Sequence, residues 1–322
     1  MQDRPRKLSK IKVLAAAEAL LIFILIIALV FVCFIHRSSD EAVPTGASVS
    51  EDPQSRTRAV IEKEETFYQL DGKKILLHDG TFGEVFMPVF EDVPASTLSP
   101  ENFVTRNGYS FYKENGKITS LTGVDISEHQ GQIDWQQVKN AGISFAMIRA
   151  GYRTYGGGII TMDESFTENL EGAIAAGLDV GVYFFSQAIN TDEAIEEADA
   201  VLDAIEGYDI TYPVVYDWEL IYDDSARTDE VSVETLADCC ISFCERVKSA
   251  GYEPMIYQNK LTSMYKLDLP RLKDYGFWLA EYGTEPTYYY DFKMWQYSST
   301  GTVPGISGQV DLNLYFPENS EE

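Results

Sequence analysis

The stretch VVYDWEL, residues 214–220, sets two carboxylates two positions apart at the end of an apolar run. In an extended strand that spacing puts Asp217 and Glu219 on one face, with Cα atoms roughly 6 to 7 Å apart, and turns Trp218 to the other. Carboxylates that close repel when ionised, which raises the pKa of at least one of them and lets it keep a proton near neutral pH. A retained proton is what a general acid needs. Two further acids stand at similar apolar boundaries, Asp125 in GVDIS and Asp311 in QVDLN. The chain has three His, at positions 36, 78 and 129, so a His-built metal centre has almost no material. Acids joined to aromatics, with neither a His base nor an activated Ser or Cys, are the equipment of glycoside hydrolysis. Aromatic faces stack on sugar rings, while Gln and Asn bond hydroxyls and amides.

An Asp-x-Glu pair alone is most often solvated surface. The preceding Pro213-Val214-Val215 run and the position at a strand end argue for delivery into a site instead. Three other uses compete. A hard cation such as Ca²⁺ or Mg²⁺ would want a loop with cation-ligand spacing, which is missing. A non-catalytic sugar-binding module could dispense with the acids, and a deacetylase of the same polymers would want His ligands. No cofactor and no metal are expected.

The elements that must position these residues repeat with a clear rhythm. From residue 123 onward five strand–helix units follow one another: GVDIS, SFAMIRAG, DVGVYFFSQ, YPVVYDWE and EPMIYQN as strands, each with a helical segment behind it. Three more strands, FWLAEYG, FKMWQYSS and QVDLNLYF, come with little or no helix. Strands that alternate with helices imply a parallel sheet, and eight of them imply a closed barrel shortened in its last third. The fold class expected is therefore α/β, a distorted TIM-like (β/α)5β3 barrel over residues 122–322. Its active face would lie at the C-terminal strand ends. Those ends offer Asp125, Arg149 and Tyr152, Tyr183 and Ser186, Asp217 and Glu219, Tyr257 and Asn259, Trp278 with Glu281, Trp295 with Gln296, and Asp311 with Asn313. Val214 and Val215 are expected in the barrel interior, and Trp218 outside it beneath the helices.

Ahead of the barrel the composition changes three times. Residues 1–12 form a basic tail, and ALLIFILIIALVFVCFI, residues 19–35, is a run without charge that matches the length of a bilayer-crossing helix. We read residues 13–35 as an uncleaved transmembrane signal anchor, since no good cleavage site follows. The basic flank places the N-terminus in the cytoplasm and the rest outside, as a single-pass protein of the cell membrane. Residues 36–65 are a Ser-, Pro- and charge-rich linker. Residues 66–121 read as a small β-rich module of unknown role, with a hairpin turn at Asn115 and Gly116. The formal net charge is −26, and residues 1–35 carry +3 of it, leaving −29 for the remainder. So acidic a body excludes nucleic-acid binding by counterion release. The Cys at 239, 240 and 244 share one predicted helix, which suits buried free thiols.

GVDISEHQGQIDW (123–135), VVYDWE (214–219), FWLAEYG (277–283), MWQYSSTG (294–301) and VDLNLY (310–315) together resemble glycoside hydrolase family 25, the lysozymes of the Chalaropsis and cellosyl type. The resemblance covers residues 123–316. It implies a (β/α)5β3 barrel that cleaves the β-1,4 bond between N-acetylmuramic acid and N-acetylglucosamine in peptidoglycan with retention. Glu219 matches the family's general acid. Asp217 matches its partner, which either orients the 2-acetamido group for attack or is itself the nucleophile. Asp125 and Asp311 match supporting acids, while Tyr183, Tyr257, Trp278, Tyr282, Trp295 and Gln296 resemble substrate-binding positions. The expected partners are peptidoglycan glycan strands, the membrane through the N-terminal segment, and a protein partner through residues 66–121. The competing reading is a non-catalytic wall-binding scaffold that recruits that partner.

Overall fold

The computed structural model describes residues 69–71, 73–222 and 224–317. Two small antiparallel sheets come first. β1 (Gln69–Asp71), β2 (Lys74–Asp79) and β3 (Gly83–Pro88) form one, and β4 (Phe103–Arg106), β5 (Tyr109–Glu114) and β6 (Lys117–Ile118) form the other. The β5–β6 turn falls at Asn115 and Gly116, with φ of 48° and 82°. Positive φ at both central residues is the requirement of a tight hairpin turn, which Asn and Gly meet at least cost.

The barrel begins with β7 (Leu121–Ile126) and continues through α1 (Trp135–Asn140), β8 (Phe145–Arg153), β9 (Ile160–Met162) and α2 (Phe166–Ala175). It proceeds with β10 (Asp179–Ser186), α3 (Thr191–Ala204), β11 (Val214–Trp218) and α4 (Val233–Ser249). β12 (Pro254–Asn259), α5 (Lys260–Lys266), α6 (Leu269–Leu272), β13 (Gly276–Ala280), β14 (Met294–Gly301) and β15 (Val310–Tyr315) complete it. The sheet order is β10-β11-β12-β13-β14-β15-β7-β8-β9, and a β10–β8 pairing closes the ring.

One part of the expected architecture is corrected here, and another falls outside the described residues. The barrel is mixed, not a parallel TIM-like one: β15 runs antiparallel to β14 and to β7, and β9 hangs as an antiparallel hairpin strand on β8. A strand returns parallel only when its connection carries the chain back along the sheet. Residues 302–309 hold no helix and are too short for that, so the chain simply reverses into β15. The expected transmembrane helix has no counterpart among the described residues. Among the described residues no helix is long and apolar enough to cross a membrane. The segment 13–35 on which it was expected lies outside the described residues, as do the basic tail and the whole linker.

Strand periodicity sorts the core. Val215 joins Phe145, Met147, Met255, Trp278 and Met294 inside the ring, whereas Val214, Tyr216 and Trp218 join the layer between strands and helices. Val214 is thus outside the ring, since alternate residues of a strand face opposite ways. Room for the interior rings is made by small residues. A Cβ on Gly123 would stand 2.3 Å from the Phe145 ring.

The leading sheets pack directly on the barrel. Ile75 and Leu77 of β2 are buried in the main core, Phe103 stands edge-on to Trp295 with centroids 5.2 Å apart, and the Ser110 N–H donates to Tyr297 Oη at 3.3 Å.

Candidate active site

Asp125 is the fifth residue of β7 and Asp217 the fourth of β11, each at the end of its strand with its side chain inward. Glu219 follows one residue beyond the β11 ladder, half-buried. Asp311 arrives by a different route: it is the second residue of β15, and it shares the mouth because that strand is reversed. In the β15–β7 register Asp311 lies opposite Asp125. Directly paired residues of antiparallel strands carry their side chains on the same face, so the two carboxyls are neighbours. These four acids line one cavity of about 330 Å³ together with Tyr183, Tyr257, Trp278, Tyr282 and Gln296.

Asp125 is held from behind. Its Oδ2 accepts from Asn313 Nδ2 at 2.8 Å and from Gln296 Nε2 at 3.0 Å. The other ends of both amides are occupied. Asn313 Oδ1 accepts the Trp278 indole N–H at 2.9 Å, and Gln296 Oε1 accepts the hydroxyls of Tyr257 and Tyr282, each at 3.1 Å. An indole can only donate, so the Asn313 amide must present its NH₂ to Asp125. Trp278 also forms the aromatic floor, with the Tyr257 and Tyr183 rings edge-on at 5.0 and 5.9 Å. Tyr282 stands at the rim, 59% exposed.

Burial, followed by the charge of Asp311, pushes Glu219 up to about 7. Burial and the same Asp311 charge push Asp125 up to about 7, against the pull of its two amide donors. Asp217 is held well above the usual carboxylate range by burial, then by Glu219 and Asp125, with Arg149 opposing them. Asp311 is raised by burial. The cluster therefore titrates as a group, and keeps a proton where separate carboxylates would have none.

Trp295 does not reach the cavity. It is fully buried between the barrel and the leading sheets, and its Nε1 donates to the Glu281 carbonyl at 2.7 Å. Its neighbours Met294 and Gln296 face inward on β14, so parity turns Trp295 out, as it turns out Trp218 on β11.

Five lining residues had no assigned role in the sequence reading: Ser127, His129, Gln130, Arg149 and Phe185. Arg149 matters most. Its Nε donates to Asp163 Oδ2 at 2.8 Å and its Nη2 to Glu128 Oε1 at 3.0 Å, which fixes a cation beside Asp217. Its place on β8 is legible in the sequence; its bracing by Asp163 and Glu128 has no signal there. Ser127, His129 and Gln130 follow Asp125 closely in the chain and line the cavity, and the Gln130 side chain accepts the Ser127 N–H at 2.9 Å to hold that turn.

The profile of glycosyl hydrolases family 25 matches residues 124–306. The chain belongs to this family. It is 29% identical over 197 residues to the autolytic lysozyme of Clostridium acetobutylicum, a match over 61% of this chain and 56% of that protein. It is 30% identical over 210 residues to lysozyme M1 of Streptomyces globisporus, covering 61% of this chain and 68% of the relative. The crystal structure of a bacterial lysozyme from Streptomyces coelicolor is similar at a TM-score of 0.51 and 27% identity, over 62% of this chain and 94% of that one. The match thus spans little more than half of the Clostridium relative's length.

Proposed function

We propose that this family 25 member is a muramidase that cleaves the β-1,4 bond between N-acetylmuramic acid and N-acetylglucosamine in peptidoglycan, with retention. The observation that carries the reading is Glu219, a carboxyl raised to about 7 at the open mouth of a cavity lined by acids and aromatics. Such a group holds a proton to give and can take one back. Glu219 protonates the glycosidic oxygen as the bond to the anomeric carbon breaks. Asp217 has a buried Oδ1 with no hydrogen-bond partner among the described residues, which suits an acceptor for the N–H of the substrate's 2-acetamido group. With that N–H held, the acetamido oxygen attacks the anomeric carbon from the opposite face. Glu219, now ionised, takes a proton from the water that opens the cyclic intermediate, and two inversions give retention. Direct attack by Asp217 remains the competing role for that residue. Asp311 supplies the charge that, with burial, keeps the proton on Glu219, and Asp125, clamped by Gln296 and Asn313, stands beside it at the mouth. Tyr282 and the Trp278 floor are the sugar-contacting surfaces.

The two relatives named as lysozymes support the same substrate. We place the hydrolase outside the cytoplasm, at the outer face of the cell membrane, acting on the cell's own wall in remodelling. That placement is supported by the uncharged stretch 19–35 behind a basic flank.

Incubation of the protein with purified peptidoglycan, followed by borohydride reduction and mass spectrometry, is the test. New reducing N-acetylmuramic acid ends are expected. Reducing N-acetylglucosamine ends, or no cleavage at any pH between about 4 and 8, refute the assignment.

A further inference from the structure

Glu219 sits outside the sheet that delivers it. The β10–β11 ladder ends at Ser186 opposite Trp218, and the β11–β12 ladder ends one residue earlier, at Asp217 opposite Tyr257. Beyond lies an irregular connection that runs to the Ser232 N-cap of α4. Strand pairing therefore does not hold the backbone of the proposed acid, and something else must.

Gln187, the residue after β10, supplies that hold. It is fully buried and does not line the cavity. Its Nε2 donates to the Glu219 carbonyl oxygen at 2.9 Å, and its Oε1 accepts the Thr228 hydroxyl at 2.7 Å. A backbone carbonyl can only accept, so the amide orientation is determined, and the Thr228 hydroxyl must be the donor. One side chain thus staples both ends of the acid-bearing connection to the end of β10. Arg227 reinforces the staple. Its Nη1 donates to the Gln187 carbonyl at 3.3 Å, and both terminal nitrogens pair with the Glu193 carboxylate of α3 at 2.7 and 2.8 Å. The Arg227 N–H donates to the Tyr155 carbonyl on the β8–β9 hairpin at 2.9 Å.

We infer that Gln187 and Thr228 are positioning residues for the general acid: the buried Gln187 amide sets where the Glu219 carboxyl stands relative to the glycosidic oxygen. This rests on the general-acid reading of Glu219. A displacement on the order of 1 Å at such a group can lower the rate about 100-fold. The connection must also keep Glu219 among the groups that face it, which are Asp125, Asp217 and Asp311 at the mouth, Arg149, and the phenols of Tyr257 and Tyr282.

The variants are Thr228→Val, which keeps the side-chain shape and removes the donor, Thr228→Ser, which restores it, and Gln187→Ala. Two readouts are taken on the full chain: steady-state kinetics on solubilised peptidoglycan fragments, and a carbon-13 titration of the Glu219 carboxyl in the resting protein, assigned with Glu219→Gln. Thr228→Val is expected to lower kcat roughly 10-fold and Gln187→Ala roughly 100-fold, with KM changed less than about 3-fold and Thr228→Ser near the parent. In both impaired variants the Glu219 titration shifts toward lower pH as its carboxyl moves toward solvent. Folded variants with unchanged kcat and an unchanged Glu219 titration overturn the inference. A parent protein that cleaves nothing, yet whose Glu219 titration responds to Thr228→Val, refutes the muramidase reading and leaves the positioning role standing.

Discussion

The mouth of the barrel and the helix layer just outside it treat their acids in opposite ways. At the mouth four carboxyls converge, and the single Arg or Lys among the lining residues, Arg149, is already engaged by Asp163 and Glu128. On α3, packed outside β8 and β10, Glu193 is matched by Arg227 and Glu197 by Arg153. The consequences show in their titration. Burial tends to raise Glu193, yet the Arg227 bonds and the Ile189 N–H outweigh it and hold that carboxyl below its usual range. Glu219 has no such partner among the described residues and rises to about 7. Glu197 has an Arg partner yet behaves like Glu219: its burial is complete, and it rises to about 7 even with Arg153 bonded to it. An Arg partner keeps a carboxyl ionised where water still reaches it, and the mouth withholds that partner where a proton is wanted.

The sharpest way to break the contrast is to remove a mouth acid whose buried Oδ1 has no hydrogen-bond partner among the described residues. Asp217→Asn is expected to lower kcat/KM by about 1,000-fold, the order assigned to a well-placed acid or base, while the melting temperature holds. Residual turnover within about 10-fold of the parent would remove Asp217 from the chemistry. The outer layer should show the reverse. Arg153→Ala strands a fully buried Glu197, which costs about 3 kcal/mol or more, or about 10 °C of Tm for a unit of this size. Calorimetry checks it, and the paired change Arg153→Met with Glu197→Leu should recover most of the loss. A single variant as stable as the parent would mean that this pair holds nothing.

The pH dependence of stability separates the raised carboxyls from the lowered one next. Asp125, Glu219 and Glu197 keep their protons to about 7 when folded, whereas unfolded carboxyls release theirs near 4. Between those values the folded chain binds more protons than the unfolded one, so stability falls as pH rises from about 4 to about 7. Glu193 has the opposite sign, and its contribution fades only as pH drops below about 4. Thermal melts across this range should therefore decline toward neutral pH, and Asp125→Asn should flatten the decline. A melting temperature that climbs from pH 5 to pH 7 would contradict the raised values. The smallest effect expected concerns the whole surface. The net charge of −26 repels anionic wall polymers, so turnover should rise a few-fold with moderate salt and a flat profile would discount that repulsion.

Sequence reading went furthest where period-two geometry decides the outcome. The Asp217 and Glu219 spacing, the strand ends carrying Asp125, Tyr183, Tyr257 and Trp278, and the Asn115-Gly116 turn all follow from local rules. Trp295 was misplaced although the same parity that turned Trp218 outward applied to it, because its motif drew more weight than its register. Asp311 was found for an incomplete reason: end-of-strand counting assumed a parallel strand, and only the reversal of β15 brings its start to the mouth. Long-range pairing was out of reach. Neither the Asp163 and Glu128 brace on Arg149 nor the Gln187 staple on Glu219 has a spacing that could reveal it. The packing of Phe103 on Trp295 likewise joins segments far apart in the chain, and no periodicity reports that.

Glu219 itself offers the most direct check, through turnover on peptidoglycan and melting temperature at pH 7 measured on one preparation of Glu219→Gln. Turnover should fall by about 1,000-fold or more, while Tm equals or exceeds that of the parent, because the neutral amide relieves the crowding of charge around Asp311, Asp125 and Asp217. Retained turnover, or a Tm well below the parent's, would contradict the account of Glu219 as an acid kept unpaired for its chemistry.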